Sequence, residues 1–430
     1  MTSLKENRDI PTLIKIASEL FPIYRCLIGP GVNETLKYLK KIYPELNIKK
    51  IKSGTKVFDW LVPDEWHVKN AYISDMNGNI IVDLKNNNLH LVGYSIPQNR
   101  SLSLKNLNKH LHSLPVQPNA IPYVTSYYKK TWGFCLKHNQ RKKLKNQIYN
   151  VFIDSKFKKG FLRYGEIYIK GLSKKEILLS TYICHPSMAN NEVSGPSVAI
   201  KLAEYLQKKK MKYSYRIIFI PETIGSIAYL SKNYKKMKEN IIAGFNLTCL
   251  GDKGNFSIVP SRNGNTVSDR VINNVLQKKK YKYKKYSWLE RGSDERQFCS
   301  PGIDLPIVTV SRSKFGEYPE YHTSLDNMSL ISQKELKKSF DLIKEVINSI
   351  EKKIFYKAIF KCEPQMSKRN LYPSISRKDK FHQVEILMNI LSYCDGTNDI
   401  TEISQKCDIK LSRCVYFLNN LKKNNLISSI

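Results

Sequence analysis

The chain has 430 residues, with 71 Lys and Arg against 37 Asp and Glu and a formal net charge of +34. That length suits two or three domains, and a hydrophobic share of 41% is ordinary for a globular protein. No window approaches the about 18 apolar residues of a membrane span. The start, Met1 to Asp9, lacks the apolar centre of a signal peptide. Nine cysteines stand singly, with no Cys-x-x-Cys pair, which reads as reduced thiols in a cytoplasmic protein. The charge invites a polyanion partner, but the lysines are spread widely and travel with many Asn and Ile. The runs Arg141-Lys142-Lys143, Lys208-Lys209-Lys210 and Lys278 to Lys285 are read as solvated faces, and nucleic acid is not an expected partner.

Taken in chain order, residues 9 to 42 carry a helical apolar period through Ile14, Ala17 and Leu20, then Val32, Leu36 and Leu39. From 46 to 132 the pattern turns strand-like, with Trp60-Leu-Val, Ala71-Tyr-Ile-Ser and Ile80-Ile-Val-Asp. Asn77-Gly78 signals a hairpin there, and Trp60 and Trp66 are candidates for the core of this piece. Its histidines, His67, His90, His110 and His112, and nearby His138 lack a partner motif and are set aside. Residues 133 to 355 alternate strand and helix, which implies a mostly parallel sheet with helices on both faces. In the tail, Gln383 to Tyr393, Glu402 to Cys407 and Leu411 to Asn424 form three short amphipathic helices, the third with Val415, Leu418 and Leu421 on one face. The division expected is a catalytic domain from 1–45 and 133–355, a β-rich insert at 46–132, and a winged-helix domain at 356–430.

The chemistry collects at strand ends. Ile177-Leu178-Leu179 reads as a buried strand leading to His185, then Asn190, Asn191 and Glu192, before Ser194-Gly195-Pro196 opens a helix. Arg216 to Ile220 leads to Glu222. Gly292-Ser-Asp294-Glu295 and Tyr321-His322-Thr-Ser-Leu-Asp326 follow. Open α/β sheets place their reactive groups at the carboxyl ends of strands, and two loop histidines among loop carboxylates suggest a metal hydrolase. Cys184, beside His185, is read as a small neighbour, with soft ligand or nucleophile as alternatives.

These motifs, in this order, resemble the zinc-dependent aminopeptidase superfamily over roughly residues 135 to 350. More narrowly, Phe21-Pro-Ile-Tyr-Arg25, Gly31-Val-Asn-Glu-Thr-Leu36, Trp60-Leu-Val-Pro-Asp-Glu-Trp66 and Cys184 to Glu192 resemble an aminopeptidase-like family associated with polysaccharide-biosynthesis loci, with a β-rich insert and a C-terminal winged helix. The resemblance implies a three-layer α/β fold. It also implies cleavage of an amide bond in a small peptide, aminoacyl or N-acyl substrate.

Several positions depart from the superfamily pattern. Tyr182 and Cys184 stand where His and Asp of His-x-Asp would be. Asn190 and Asn191 replace an Asp pair, Thr223 replaces the second Glu of Glu-Glu, and Thr248 replaces a ligand Asp. An amide cannot bridge two dications as a carboxylate does, so one zinc is expected rather than two. His185, Glu192 and His322 are its candidate ligands, since zinc takes three or four N, O or S donors. Glu222 matches the superfamily's general base, with Asp294 as a second catalytic candidate. Asn190, Asn191, Arg262, Glu295 and Tyr321 are candidates for substrate binding, Arg262 by a bidentate clamp on an anion. Asp326 is expected to orient His322 through its second ring nitrogen. Two other classes stay open: a degenerate scaffold protein of a polysaccharide pathway, and a DNA-binding regulator using the tail. A homo-oligomer is compatible with all three.

Overall fold

The fold is that of a computed structural model, which describes residues 10–371 and 378–429, the side chains of 378–381 excepted. The stretch Met1–Asp9 read for a signal peptide lies outside the described residues. The chain divides into two compact units, 1–345 and 346–430.

In the first unit the strands used below are, in chain order, β1 (Asn47–Lys52), β2 (Glu65–Asp75), β3 (Ile80–Asp83), β4 (Gln98–Ser103), β5 (Ile148–Lys158), β6 (Phe161–Ile169), β7 (Glu176–Tyr182), β8 (Ser214–Ile220), β9 (Ile241–Leu247), β10 (Phe256–Val259), β11 (Tyr283–Lys285) and β12 (Ile307–Ser311). The longer helices are α1 (Leu13–Leu20), α2 (Pro30–Ile42), α3 (Ser194–Gln207), α4 (Ile224–Asn240), α5 (Val267–Lys278) and α6 (Gln333–Lys352). An eight-stranded mixed sheet runs β1-β6-β8-β7-β9-β12-β10-β11. Its centre is parallel, β8 with β7, β7 with β9 and β9 with β12. The flanking pairs β1–β6, β6–β8 and β12–β10 are antiparallel. Helices cover both faces, so every residue of β7 and of β8 is buried. Continuous burial of that kind is why these strands read as unbroken apolar runs.

A buried ionic network ties these strands together. Arg216 on β8 holds Glu176 through Nε at 2.7 Å and Nη2 at 3.0 Å, and Glu166 through Nη1 at 2.9 Å. Glu166 also accepts from Lys49 at 2.7 Å and from the Tyr229 hydroxyl at 2.6 Å. Four strands and α4 are cross-linked in this way.

A second sheet, β3-β2-β5-β4, is antiparallel throughout. Asn77-Gly78 makes the β2–β3 turn, with Gly78 at φ +83°. This sheet departs from the expected 46–132 limits in two ways. Its longest partner strand, β5, comes from beyond residue 132, while β1 joins the large sheet instead. Alternating strands look alike in sequence whichever sheet they join, because pairing is a tertiary property. Trp66 fulfils its core role, stacked on Tyr94 with ring centroids 5.5 Å apart and donating Nε1–H to Ser95 O at 3.0 Å. Trp60 does not belong to that core. It is half-buried and packs against the main-sheet cluster around Ile227 and Leu230.

The second unit has a three-stranded antiparallel sheet, β14 (Asp395–Asp399), β13 (Phe355–Ala358) and β15 (Ile427–Ser429), with helices α7 (Lys378–Ser392), α8 (Ile400–Lys406) and α9 (Leu411–Lys423). Asp399 caps α8 in a reciprocal pair with Glu402. Ile386, Ile390, Ile403, Leu418 and Leu421 share one core. The inward stripe of α9 is Cys414, Phe417, Leu418 and Leu421. Val415, expected on it, points outward with Tyr416, since the helical period places 414 and 418 on the buried line rather than 415. Because this unit encloses its own core, a chain ending at Tyr356 should stay folded and soluble. Insolubility of that shortened chain would mean that the second unit completes the first.

Candidate active site

The end of β7 and the loop beyond it position most of the candidate groups. After Met188 the chain makes one wide π-type turn, Ala189–Val193, before α3 begins; such turns recur at functional sites. Gly195 lets α3 press onto the strand ends, because a Cβ there would meet Leu247 O at 2.5 Å. The turn is held from outside by Asp326, whose carboxylate accepts from the backbone N–H groups of Asn190 at 2.6 Å and Asn191 at 2.9 Å and from the Tyr318 hydroxyl at 2.9 Å. Asp326 therefore fastens this turn, where the sequence had suggested a partner for His322. Burial pushes its carboxyl up to about 6, against those hydrogen bonds.

The two asparagines are structural in this arrangement rather than open to substrate. Asn190 donates to Asp252 at 2.9 Å and accepts from Gly251 N–H at 2.8 Å. Asn191 donates to the Tyr182 hydroxyl at 2.7 Å, and that hydroxyl contacts Thr248 Oγ1. Tyr182, Asn191 and Thr248 occupy three positions where the superfamily pattern has His or Asp, and they bond to one another.

On the other side of the β7 loop lies an ionic cluster. Glu192 Oε2 accepts from His185 Nδ1 at 2.9 Å, and its Oε1 lies 3.4 Å from Arg25 Nε. Arg25, on the loop between α1 and α2, is buried and also donates to the carbonyls of His185 at 2.9 Å and Leu20 at 2.6 Å. Cys184 Sγ stands 3.7 Å from His185 Nδ1 and accepts from the Glu222 N–H at 3.2 Å. Burial raises the Cys184 thiol to about 11, which keeps it neutral. Burial opposes charge on His185, but the hydrogen bond to Glu192 favours it, and the ring is held well above its ordinary value.

Glu222 follows β8 and Pro221. Its Oε2 lies 3.8 Å from His185 Nε2, and its Oε1 accepts from the Ser293 hydroxyl at 3.0 Å. Burial pushes the Glu222 carboxyl up. The next residue, Thr223, sits at φ +62°, ψ −83°, a conformation that is strained for a β-branched side chain. It is held there by Asp294, which accepts its N–H at 2.8 Å, and by Arg296, which donates to its hydroxyl at 2.6 Å. Asp294 also accepts from Ser226 at 2.7 Å. Burial, then the charge of Glu222, raises the Asp294 carboxyl to about 7.

His322 completes the group. Its ring centroid is 5.2 Å from that of His185, it stacks on Tyr321 at 3.9 Å, and Tyr123 meets it edge-on at 5.1 Å. Its Nε2 is buried with no hydrogen-bond partner among the described residues. Burial, then His185, lowers the His322 ring to about 3, so it presents a neutral nitrogen.

His185, Glu192, Glu222, Asp294, Tyr321 and His322 thus come together, and besides Asn190, Asn191 and Asp326 two further expectations need correction. Glu295 is fully buried and accepts from the N–H groups of Gly292 at 2.7 Å and Ser293 at 3.0 Å and from Thr309 at 2.7 Å. It shapes the loop and has no oxygen facing substrate. Arg262 is committed to Asp304 by two bonds of 2.7 and 2.6 Å at the surface. Sequence reading missed Tyr123, Ser293 and Arg296. Ser293 and Arg296 flank Asp294-Glu295 and were within reach of that motif, whereas Tyr123 arrives from the insert with no motif of its own.

The Asp294 shift has a consequence for the metal-free protein. A carboxyl raised from about 3.9 in the unfolded chain to about 7 binds its proton more tightly when folded. Its contribution is present below about pH 4 and is lost as pH rises through about 7. Thermal melts at pH 5 and pH 8 should therefore show Asp294→Asn gaining on the wild type at the higher pH. A difference that does not change with pH would contradict the buried, shared charge.

Comparison with known proteins places this fold in a class. Residues 14–353 match a family model described as a domain of unknown function (DUF4910), and residues 354–429 match a winged helix-turn-helix. A zinc aminopeptidase from Bacillus subtilis is 15% identical, with 80% of this chain and 96% of that one covered at a TM-score of 0.56; the shared feature is the fold, which is aminopeptidase-like. A Clostridium acetobutylicum protein, named as a candidate polysaccharide biosynthesis protein with an aminopeptidase-like domain, is 41% identical over 97% of this chain and 96% of its own length. A crystal structure from the same organism, described as a candidate peptidase, has a TM-score of 0.79 at 40% identity, covering 97% and 96% of the two chains. The chain belongs to this aminopeptidase-like family of polysaccharide-biosynthesis proteins with a C-terminal winged helix. No helix among the described residues is long and apolar enough to cross a membrane.

Proposed function

We propose that the chain is a zinc-dependent hydrolase of an amide bond, working on a small peptide, aminoacyl or N-acyl substrate with one metal ion. The observation that carries this reading is the buried Nε2 of neutral His322, without a hydrogen-bond partner among the described residues, on a ring 5.2 Å from that of His185. The donor chemistry fits zinc, which favours imidazole nitrogen and carboxylate oxygen. His185 and His322 would hold the ion together with Glu192, whose donor atom lies with those of Cys184 and His185 inside a 4.8 Å group. When bound, zinc would polarise the scissile carbonyl and acidify water.

The remaining work falls to this chain's own groups. Glu222 accepts the proton of the attacking water at Oε2, with Ser293 fixing its other oxygen. Burial raises its carboxyl toward the working pH, which suits a general base. Asp294 braces the strained Thr223 and so fixes the direction of Glu222. Arg25 stands against Glu192 Oε1 and so fixes the carboxylate beside His185. The Tyr182–Asn191–Thr248 cluster supports a count of one ion, since neutral hydroxyl and amide groups bonded to one another stand there in place of a bridging carboxylate.

The same neutral cluster favours a second reading, a scaffold protein with a degenerate site. The test is turnover of a panel of aminoacyl and N-acyl amides by tag-free protein supplied with zinc. The hydrolase reading expects chelator-sensitive hydrolysis of at least one member. No turnover across the panel would favour the scaffold. The regulatory reading has less support, because the outward face of α9 mixes exposed Leu411, Val415 and Tyr416 with its basic residues Arg413, Lys422 and Lys423.

A further inference from the structure

A cleft of about 410 Å³ lies between the short hairpin at residues 56–61, helix α4 and the loop after Phe298. That is the size of a small-ligand site. Three aromatic side chains form its walls, Phe58, Trp60 and Tyr234, and Asp59, Gln297 and Ser300 supply polar atoms. Flat apolar faces beside a few hydrogen-bonding groups match a sugar ring, which has C–H faces and a rim of hydroxyls.

Two observations give the cleft a purpose beyond packing. Phe58 occupies the tip of a two-residue turn between paired Val57 and Trp60, at φ +54° and 47% exposed. Such a turn prefers glycine or asparagine at a positive φ, so Phe58 sits there at a backbone cost, its ring edge-on to Tyr234 at 6.0 Å. The cleft also shares its framework with the Glu222 centre. Ile227 on its wall is one helical turn from Thr223, and Gln297 follows Asp294 by three residues. Trp60 leans on Tyr128 at 5.6 Å, and Tyr128 on Tyr127 at 4.9 Å; Tyr127 lies within electrostatic reach of Glu222 and Arg296.

We propose that this cleft is a carbohydrate subsite that holds the ring of an N-acylated amino sugar. The placement of its amide at Glu222 rests on the hydrolase reading; the binding does not. The test is ligand-observed NMR titration of the full-length chain with N,N′-diacetylchitobiose, and in parallel with leucinamide, neither requiring turnover. The disaccharide should bind saturably in the millimolar range, and Trp60→Ala should weaken it about tenfold. Phe58→Gly should also weaken it while melting close to the wild type, since glycine suits φ +54°, so lost binding there is not lost folding. Absence of saturable sugar binding, binding indifferent to Phe58 and Trp60, or leucinamide taking the cleft in place of the sugar would each overturn the proposal.

Discussion

Glu222→Gln should lower hydrolysis by about a hundredfold to ten-thousandfold, the usual contribution of a positioned general base, while the variant folds and keeps its metal. The amide preserves the bond from Ser293, which needs only an acceptor oxygen, and it removes the carboxylate that takes the proton. Two outcomes would redirect the account. Loss of metal together with activity would make Glu222, 3.8 Å from His185 Nε2, a ligand. Turnover equal to the wild type would remove Glu222 from the chemistry.

The largest stability effect should come from Arg216→Met, far from this centre. Arg216 is the shared partner of Glu166 and Glu176, and all three are buried. Removing it strands Glu176 without this cation, and leaves Glu166 with Lys49 and the Tyr229 hydroxyl. Breaking a buried pair from one side typically costs about 3–5 kcal/mol, and denaturant unfolding measures it directly. A loss below about 1 kcal/mol would show that water reaches these carboxylates. The network also sets an acid limit. Burial works against the charge of Glu166, but Lys49, Tyr229 and Arg216 outweigh it and hold the carboxyl below its ordinary value. That contribution is present above about pH 4 and is lost as pH falls through the lowered value.

What was legible in the sequence follows from which interactions are local. His185, Glu222 and His322 could be found because each lies just beyond an apolar run or within a recognisable motif. The fold was legible because β7 and β8 are buried on both faces and so carry no alternation. What escaped depends on contacts far apart in the chain. The role of Arg262 turned on Asp304, forty-two residues away, and that of Asp326 on a backbone turn more than a hundred residues earlier. Trp60 and Trp66 are equal in composition and six residues apart, yet only one enters the core of the second sheet. The other lines an open cleft, and no local rule separates them.

The central claim is that one divalent ion sits among His185, His322 and Glu192, and elemental analysis of tag-free protein tests it most directly. The wild type should carry about one zinc per chain, and the His185→Ala/His322→Ala double variant should carry none while remaining folded, because Arg25 still pairs with Glu192. Two tightly held ions per chain, or none under any loading condition, would contradict the account.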